Sequence, residues 1–165
     1  MRNDETSEIV VGLGDGLAAA AALRWGARHS QLTGFPLRIV HAWELPGGQV
    51  PASGAQFVEA ATADARAWAT SRVRRTLADM PMEIMWTLDI VQGSPGPALV
   101  ARSRGGKLLV LGTGEHGGIH RVLAGSVSRY CLSHADGPVV VVPPPRQVAE
   151  PDTRRDMLST PGPLL

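Results

Sequence analysis

The sequence predicts one α/β domain, a doubly wound, five-stranded parallel sheet with helices on both faces and the last strand at its edge. Short apolar runs alternate with stretches of helical periodicity over the first 143 residues. The runs are near-continuous in Val, Ile and Leu, the pattern of strands covered on two sides. A length of 165 residues with 44% apolar composition fits one domain with a single core.

Ile9-Val-Val-Gly-Leu13 reads as the first strand, broken by Gly14-Asp15-Gly16, with Asp15 placed to cap the helix after it. Leu17, Ala20, Leu23 and Ala27 then fall at helical spacing up to about His29, and Gly34 is a stop signal. Leu37 to Trp43 forms a second strand, and Glu44 to Gly54, with two prolines and three glycines, a loop of the length that is often functional or mobile. A second helix is expected from Gln56 to Met80, with Ala65, Ala69, Val73, Thr76, Leu77 and Met80 on one face and Pro81 ending it. Ile84, Trp86, Leu88 and Ile90 alternate with Glu83, Met85, Thr87 and Asp89, as in a strand with one wetter face near a sheet edge.

Gln92 to Pro97 turns into a short helix reaching about Arg104, with Pro97 in its first turn. Lys107 to Gly112 is a buried fourth strand. After a glycine-rich stretch, Val127, Tyr130, Cys131 and His134 recur at helix spacing, with Ser126 at the expected N-cap. Gly137-Pro138 ends that helix, and Val139 to Val142 forms a fifth strand. Right-handed crossovers turn this order into a doubly wound sheet. Residues 1–7 are expected to be a flexible start, 8–143 the domain, and 144–165 a Pro-rich flexible tail.

Composition excludes several classes. A formal net charge of +1 is far from the basic footprint of a nucleic-acid-binding domain. The apolar runs are interrupted well before a membrane-spanning length, and the polar start lacks the apolar core of a signal peptide, so a soluble cytoplasmic protein is expected. The single cysteine, Cys131, cannot form an internal disulfide and reads as a small buried hydrophobe.

In doubly wound sheets ligands settle at the carboxyl ends of strands, where two glycine-rich segments lie. Gly12-Leu-Gly-Asp-Gly-Leu17 imitates a dinucleotide fingerprint but has Leu17 where the third glycine belongs, and His41-Ala-Trp43 supplies no acidic ribose ligand. A P-loop is missing as well, because Lys107 is followed by Leu108 and position 101 is Ala101. The segment from Gly112 to Ser126 joins a buried strand to a helix start, where bare amides and the Ser126 hydroxyl can converge on an anion. A plain glycine-rich turn explains that loop equally well from its own residues.

Ile9-Val-Val-Gly12, Leu23-Arg-Trp25, Val40-His-Ala-Trp43, Gly93-Ser-Pro-Gly-Pro-Ala98, Leu109-Val-Leu-Gly112, Gly125-Ser-Val-Ser128 and His134-Ala-Asp-Gly-Pro-Val-Val-Val141 succeed one another in an order that resembles the universal stress protein family, from about Glu8 to Pro143. The resemblance implies an α/β sandwich that dimerises through its last strand, here Val139, Val140, Val141 and Val142. It also implies, for one branch, ATP held by Gly-x-x-Gly-x9-Gly-(Ser/Thr). Gly112 matches the first glycine of that motif, Gly125 the last and Ser126 the hydroxyl, but Glu115 stands at the second glycine, adding bulk and like charge toward a triphosphate. The family's aspartate after the first strand falls at Gly14, with the acid one residue later as Asp15. On this resemblance Gly112, Gly114, Gly125, Ser126 and Val127 would contact phosphates and ribose, and Asp15 and Val40 the nucleoside, of a bound adenine nucleotide: ATP, ADP or AMP.

The remaining features have blander readings. Arg72, Arg74 and Arg75 read as a solvated helix face, and His116 and His120 lack a third ligand for a metal. The four tryptophans read as core, and no catalytic triad can be assembled. The expected function is therefore a non-enzymatic sensor or regulator binding an adenine nucleotide weakly or selectively. One alternative is a degenerate module of the same fold acting through dimerisation and protein partners. An enzyme hydrolysing a nucleotide is the third, opposed by the missing Walker lysine and metal carboxylates. An edge strand of four valines left bare would template aggregation, which itself argues for a second copy covering it.

Overall fold

The computed structural model describes residues 7–45, 54–80, 84–105, 107–113 and 125–145. The elements alternate as β1 (Ile9–Gly12), α1 (Gly16–Thr33), β2 (Leu37–Trp43), α2 (Gly54–Leu77), β3 (Trp86–Gln92), α3 (Pro95–Arg102), β4 (Leu108–Gly112), α4 (Ser126–His134) and β5 (Val139–Val142). All neighbouring strands pair in parallel, in the order β3-β2-β1-β4-β5. The doubly wound fold expected from the sequence is present, with β3 and β5 at the edges. From β1 in the middle, the chain winds outward to β3, then returns to the other side of β1 as β4.

Alternation along the strands divides the interior into two cores. Ile9 and Val11 of β1, with Leu37 and Ile39 of β2 and Val110 of β4, meet Ala22, Leu23 and Ala27 of α1 and Ala69 and Val73 of α2 on one face. Trp25, Trp68, Trp86, Leu88 and Ile90 pack against that cluster from its periphery. Val10, Val40, Leu109 and Leu111 point to the other face, where Leu99 of α3 and Cys131 of α4 close over them. Burial pushes the Cys131 thiol up to about 11. It is neutral at pH 7 and packs as a hydrophobe, as its sequence context predicts.

The α1 face differs from the expected one. Ala18, Ala19, Ala22, Leu23, Gly26 and Ala27 are buried, whereas Leu17 is 53% exposed. The cause is a close approach of main chains. A Cβ on Gly112 would lie 2.6 Å from the carbonyl carbon of Ala18, so the missing side chain lets the first turn of α1 press on the end of β4 and rotates Leu17 outward. The helix ends at the expected stop signal, with Gly34 in the left-handed region at φ 74° and its N–H donating to the Ser30 carbonyl at 2.8 Å.

A second correction concerns α4. Gly125 is its N-cap and Ser126 its first helical residue, so Ser126 is not the cap. Of the expected stripe on α4, Cys131 is buried and Val127 packs on the second core, while Tyr130 and His134 stack on each other outside, ring centroids 4.1 Å apart. The tail from 146 onward, most of the 44–54 loop, Pro81, and the 114–124 segment with Gly114, Glu115, His116, His120 and Arg121 lie outside the described residues.

Candidate functional site

The sheet order reverses between β1 and β4, and a cleft forms at that point. The carboxyl tips of β1, β2 and β4 and the starts of α1, α3 and α4 enclose an open space of about 590 Å³, inside the range of small-molecule sites, roughly 300–1,000 Å³. Gly112, Gly125, Ser126, Val127, Asp15 and Val40 all line it, so six of the seven residues singled out from the sequence come together there. Gly114, the seventh, lies outside the described residues.

One wall is the start of α4. Arg129 is the first residue of this helix to donate one turn back, to the Gly125 carbonyl at 3.0 Å. The amides of Ser126, Val127 and Ser128 precede that ladder and carry the positive end of the helix dipole. No side chain caps them among the described residues. Ser128 is buried and donates its hydroxyl to the Gly112 carbonyl at 3.0 Å, tying α4 to the tip of β4. Ser126 is exposed, and its hydroxyl takes no partner among the described residues. The two hydroxyls of Gly-Ser-Val-Ser thus have different tasks, Ser128 fastening the helix start and Ser126 facing the cleft.

The opposite wall is the turn between β1 and α1. Leu13 donates its amide to the Val40 carbonyl at 2.8 Å, and His41 Nδ1 lies 3.1 Å from the Leu13 carbonyl, so the turn is held against the tip of β2. Asp15 occupies the N-cap position of α1 with extended backbone, yet its carboxylate makes no capping bond. It is exposed at the cleft rim beside Gly14. Among the described lining residues Asp15 is the one carboxylate and His41 the one ionisable base, and none is Lys or Arg.

Arg72 is not on a solvated face. Its Nη2 donates to the Gly16 carbonyl at 2.6 Å, while Arg74 and Arg75 are exposed as expected. The reason is helical spacing: Trp68, Arg72 and Thr76 succeed one another at i, i+4 along the half-buried side of α2, which directs Arg72 toward α1. Among the described residues no group of three His, Cys, Asp or Glu side chains could hold a metal. Leu13, His41, Ala42, Pro95 and Thr113 line the cleft without standing out in the sequence. All lie at strand tips or the start of α3, so the strand-end rule applied to every strand finds them.

A family model for the universal stress protein family matches residues 6–143. The chain belongs to this family. A universal stress protein of Mycolicibacterium smegmatis is 31% identical over 160 residues, 91% of this chain and 52% of the relative. The chain spans about half the length of the curated relatives it matches. Among solved structures, universal stress protein UspA from Lactobacillus plantarum superimposes with a TM-score of 0.64 at 22% identity, covering 83% of this chain and 97% of that one. The universal stress protein from Archaeoglobus fulgidus in complex with dAMP gives 0.54 at 23% identity, covering 82% and 96%. At these identities the two structures establish a shared fold. Among the described residues, no helix is long and apolar enough to cross a membrane.

Proposed function

We propose that this protein binds an adenine nucleotide in the cleft between β1 and β4, without turning it over, and acts as a cytoplasmic sensor or regulator. The observation that carries this reading is the start of α4, where three amides ahead of the helical ladder and the Ser126 hydroxyl face a cleft whose far rim offers one carboxylate. Amides at a helix start receive a phosphate, and a carboxylate across the cleft accepts hydrogen bonds from nucleoside hydroxyl or amino groups. That a family member of the same fold is described in complex with dAMP supports the reading.

Selectivity follows from charge. Glu115 replaces a glycine of the family's nucleotide motif, and one extra negative charge brought near a phosphate costs about 1 kcal/mol in water-like surroundings. AMP is therefore the preferred guest over ATP. Calorimetry with AMP, ADP and ATP, with and without magnesium, should give heat that weakens as phosphates are added. Replacing Glu115→Gly should narrow the gap by roughly fivefold. Silence toward all three nucleotides in both proteins favours the alternative reading, a degenerate module that works through partner surfaces.

The β5 edge supports homodimerisation in either case. Val139 to Val142 are half-buried and pair with β4 alone among the described strands. Inward bonds run from Leu109 N–H to the Pro138 carbonyl and from Thr113 N–H to the Val142 carbonyl, so Val139 and Val141 direct their polar groups to the open side. Leu132, 54% exposed, sits on the flank of α4 away from Tyr130, which packs on α3 at Gly96, and adds apolar area toward that edge. A second copy of β5 covers these groups. Val141→Pro removes one outward donor and leaves the β4 ladder intact, so sedimentation should show a folded monomer. An unchanged dimer would place the interface elsewhere.

A further inference from the structure

The turn that carries Asp15 is held at both of its ends. On the β2 side, His41 Nδ1 lies 3.1 Å from the carbonyl of Leu13, and its ring packs against Trp68 of α2, centroids 4.6 Å apart. On the α2 side, Arg72, one helical turn beyond Trp68, donates Nη2 to the carbonyl of Gly16 at 2.6 Å. Two carbonyls that bracket Gly14 and Asp15 are thereby tied to one patch, His41, Trp68 and Arg72. The side chain between them is left without a capping bond at the cleft rim.

A carbonyl already inside a helix gains little stability from a guanidinium, whose burial is costly. Arg72 is half-buried and its Nε has no hydrogen-bond partner among the described residues, so the bond to the Gly16 carbonyl satisfies this side chain only in part. What the arrangement does supply is orientation. A short turn that would otherwise pivot about Gly14 and Gly16 is fixed at both ends, which sets the direction of the Asp15 carboxylate and lowers the entropy lost when a ligand meets it.

We infer that Arg72, with His41, is a positioning residue for ligand recognition: it acts through the Gly16 carbonyl to aim Asp15 at the nucleoside, and so links the seating of α2 to occupancy of the cleft. This rests on the nucleotide reading above. Arg72 lies outside the cleft lining, whereas Asp15 stands at its rim.

The test is a double-mutant cycle in the full chain, read by AMP titration. Asp15→Asn and Arg72→Met should each weaken AMP by about tenfold, and the double variant should be no weaker than either, because one acts through the other. Arg72→Lys, which retains a donor able to reach a carbonyl, should recover most of the loss. Amide exchange without ligand supplies a second readout: Gly14 to Leu17 should exchange faster in Arg72→Met and not in Asp15→Asn. Unchanged AMP affinity in Arg72→Met, or losses that multiply in the double variant, would overturn the positioning role while leaving nucleotide binding intact. A wild-type protein that takes up no AMP would overturn the nucleotide reading and this inference with it.

Discussion

At the amino-terminal end of the sheet, on the α3–α4 face, charged side chains satisfy one another. Glu8 accepts from Arg38 at 2.8 Å and from Lys107 at 2.7 Å, and Asp89 accepts from Arg38 at 3.2 Å with Arg102 3.5 Å away. These pairs join the starts of β1, β2 and β4 to β3 and to the end of α3. At the carboxyl end, around the cleft, several polar groups stay open. Asp15 has no capping bond, the Ser126 hydroxyl has no partner among the described residues, and the first amides of α4 precede their ladder. One end of the sheet pairs these charged groups with one another, and the other leaves Asp15 and Ser126 at the cleft without a described partner.

Three substitutions would break or sharpen this contrast. The largest effect belongs to Gly112, which serves the cleft through its position and the fold through its missing side chain. Gly112→Val would drive side-chain atoms into the Ala18 main chain and cost about 3 kcal/mol, since neither helix backbone nor strand can yield locally. Chemical denaturation should report that loss, and a variant as stable as wild type would show that α1 does not need the close approach.

The network at the amino end comes next. Burial by itself would raise the Glu8 carboxyl, but the hydrogen bonds from Lys107 and Arg38 outweigh it and hold the group below its ordinary value of 4.5. A depressed carboxylate stabilises the folded state fully above its unfolded value, and the contribution is lost as pH falls through the folded one. Glu8→Gln should therefore cost about 2 kcal/mol at pH 7, the scale of hydrogen bonds to charged groups. Its stability should converge with that of wild type as the pH falls below that ordinary value. Curves that stay parallel over that range would remove Glu8 from the acid response.

Ser126→Ala should have the smallest effect on the fold. Its hydroxyl holds nothing together among the described residues, so stability should stay within about 0.5 kcal/mol of wild type. AMP affinity should fall by roughly fivefold, the value of one hydrogen bond. A drop in stability with unchanged affinity would move Ser126 to the structural side of the comparison.

The element order is legible in the sequence because strand runs and helical stripes repeat cleanly, and element ends differ from expectation by a few residues at most. The same logic brings the cleft residues together, since strand tips at a reversal of topology must converge. The buried face of α1 is less legible for a physical reason. An alanine-rich helix offers little hydrophobic contrast, and its rotation is decided by Gly112, which lies far from Ala18 along the chain. Arg72 is hidden for another reason: its partner is a main-chain carbonyl, which leaves no mark in any pattern of side chains. The Glu8, Arg38 and Lys107 cluster depends on strand order, with β4 returning beside β1, and composition says nothing of that.

The contrast between the two ends can be read in one experiment, amide shift mapping of the wild-type protein titrated with AMP. Binding at the carboxyl end predicts the largest shifts at Ser126, Val127, Ser128 and Asp15, saturating together, with Glu8, Arg38 and Lys107 unmoved. Shifts confined to the amino end, or none at millimolar AMP, would contradict the account.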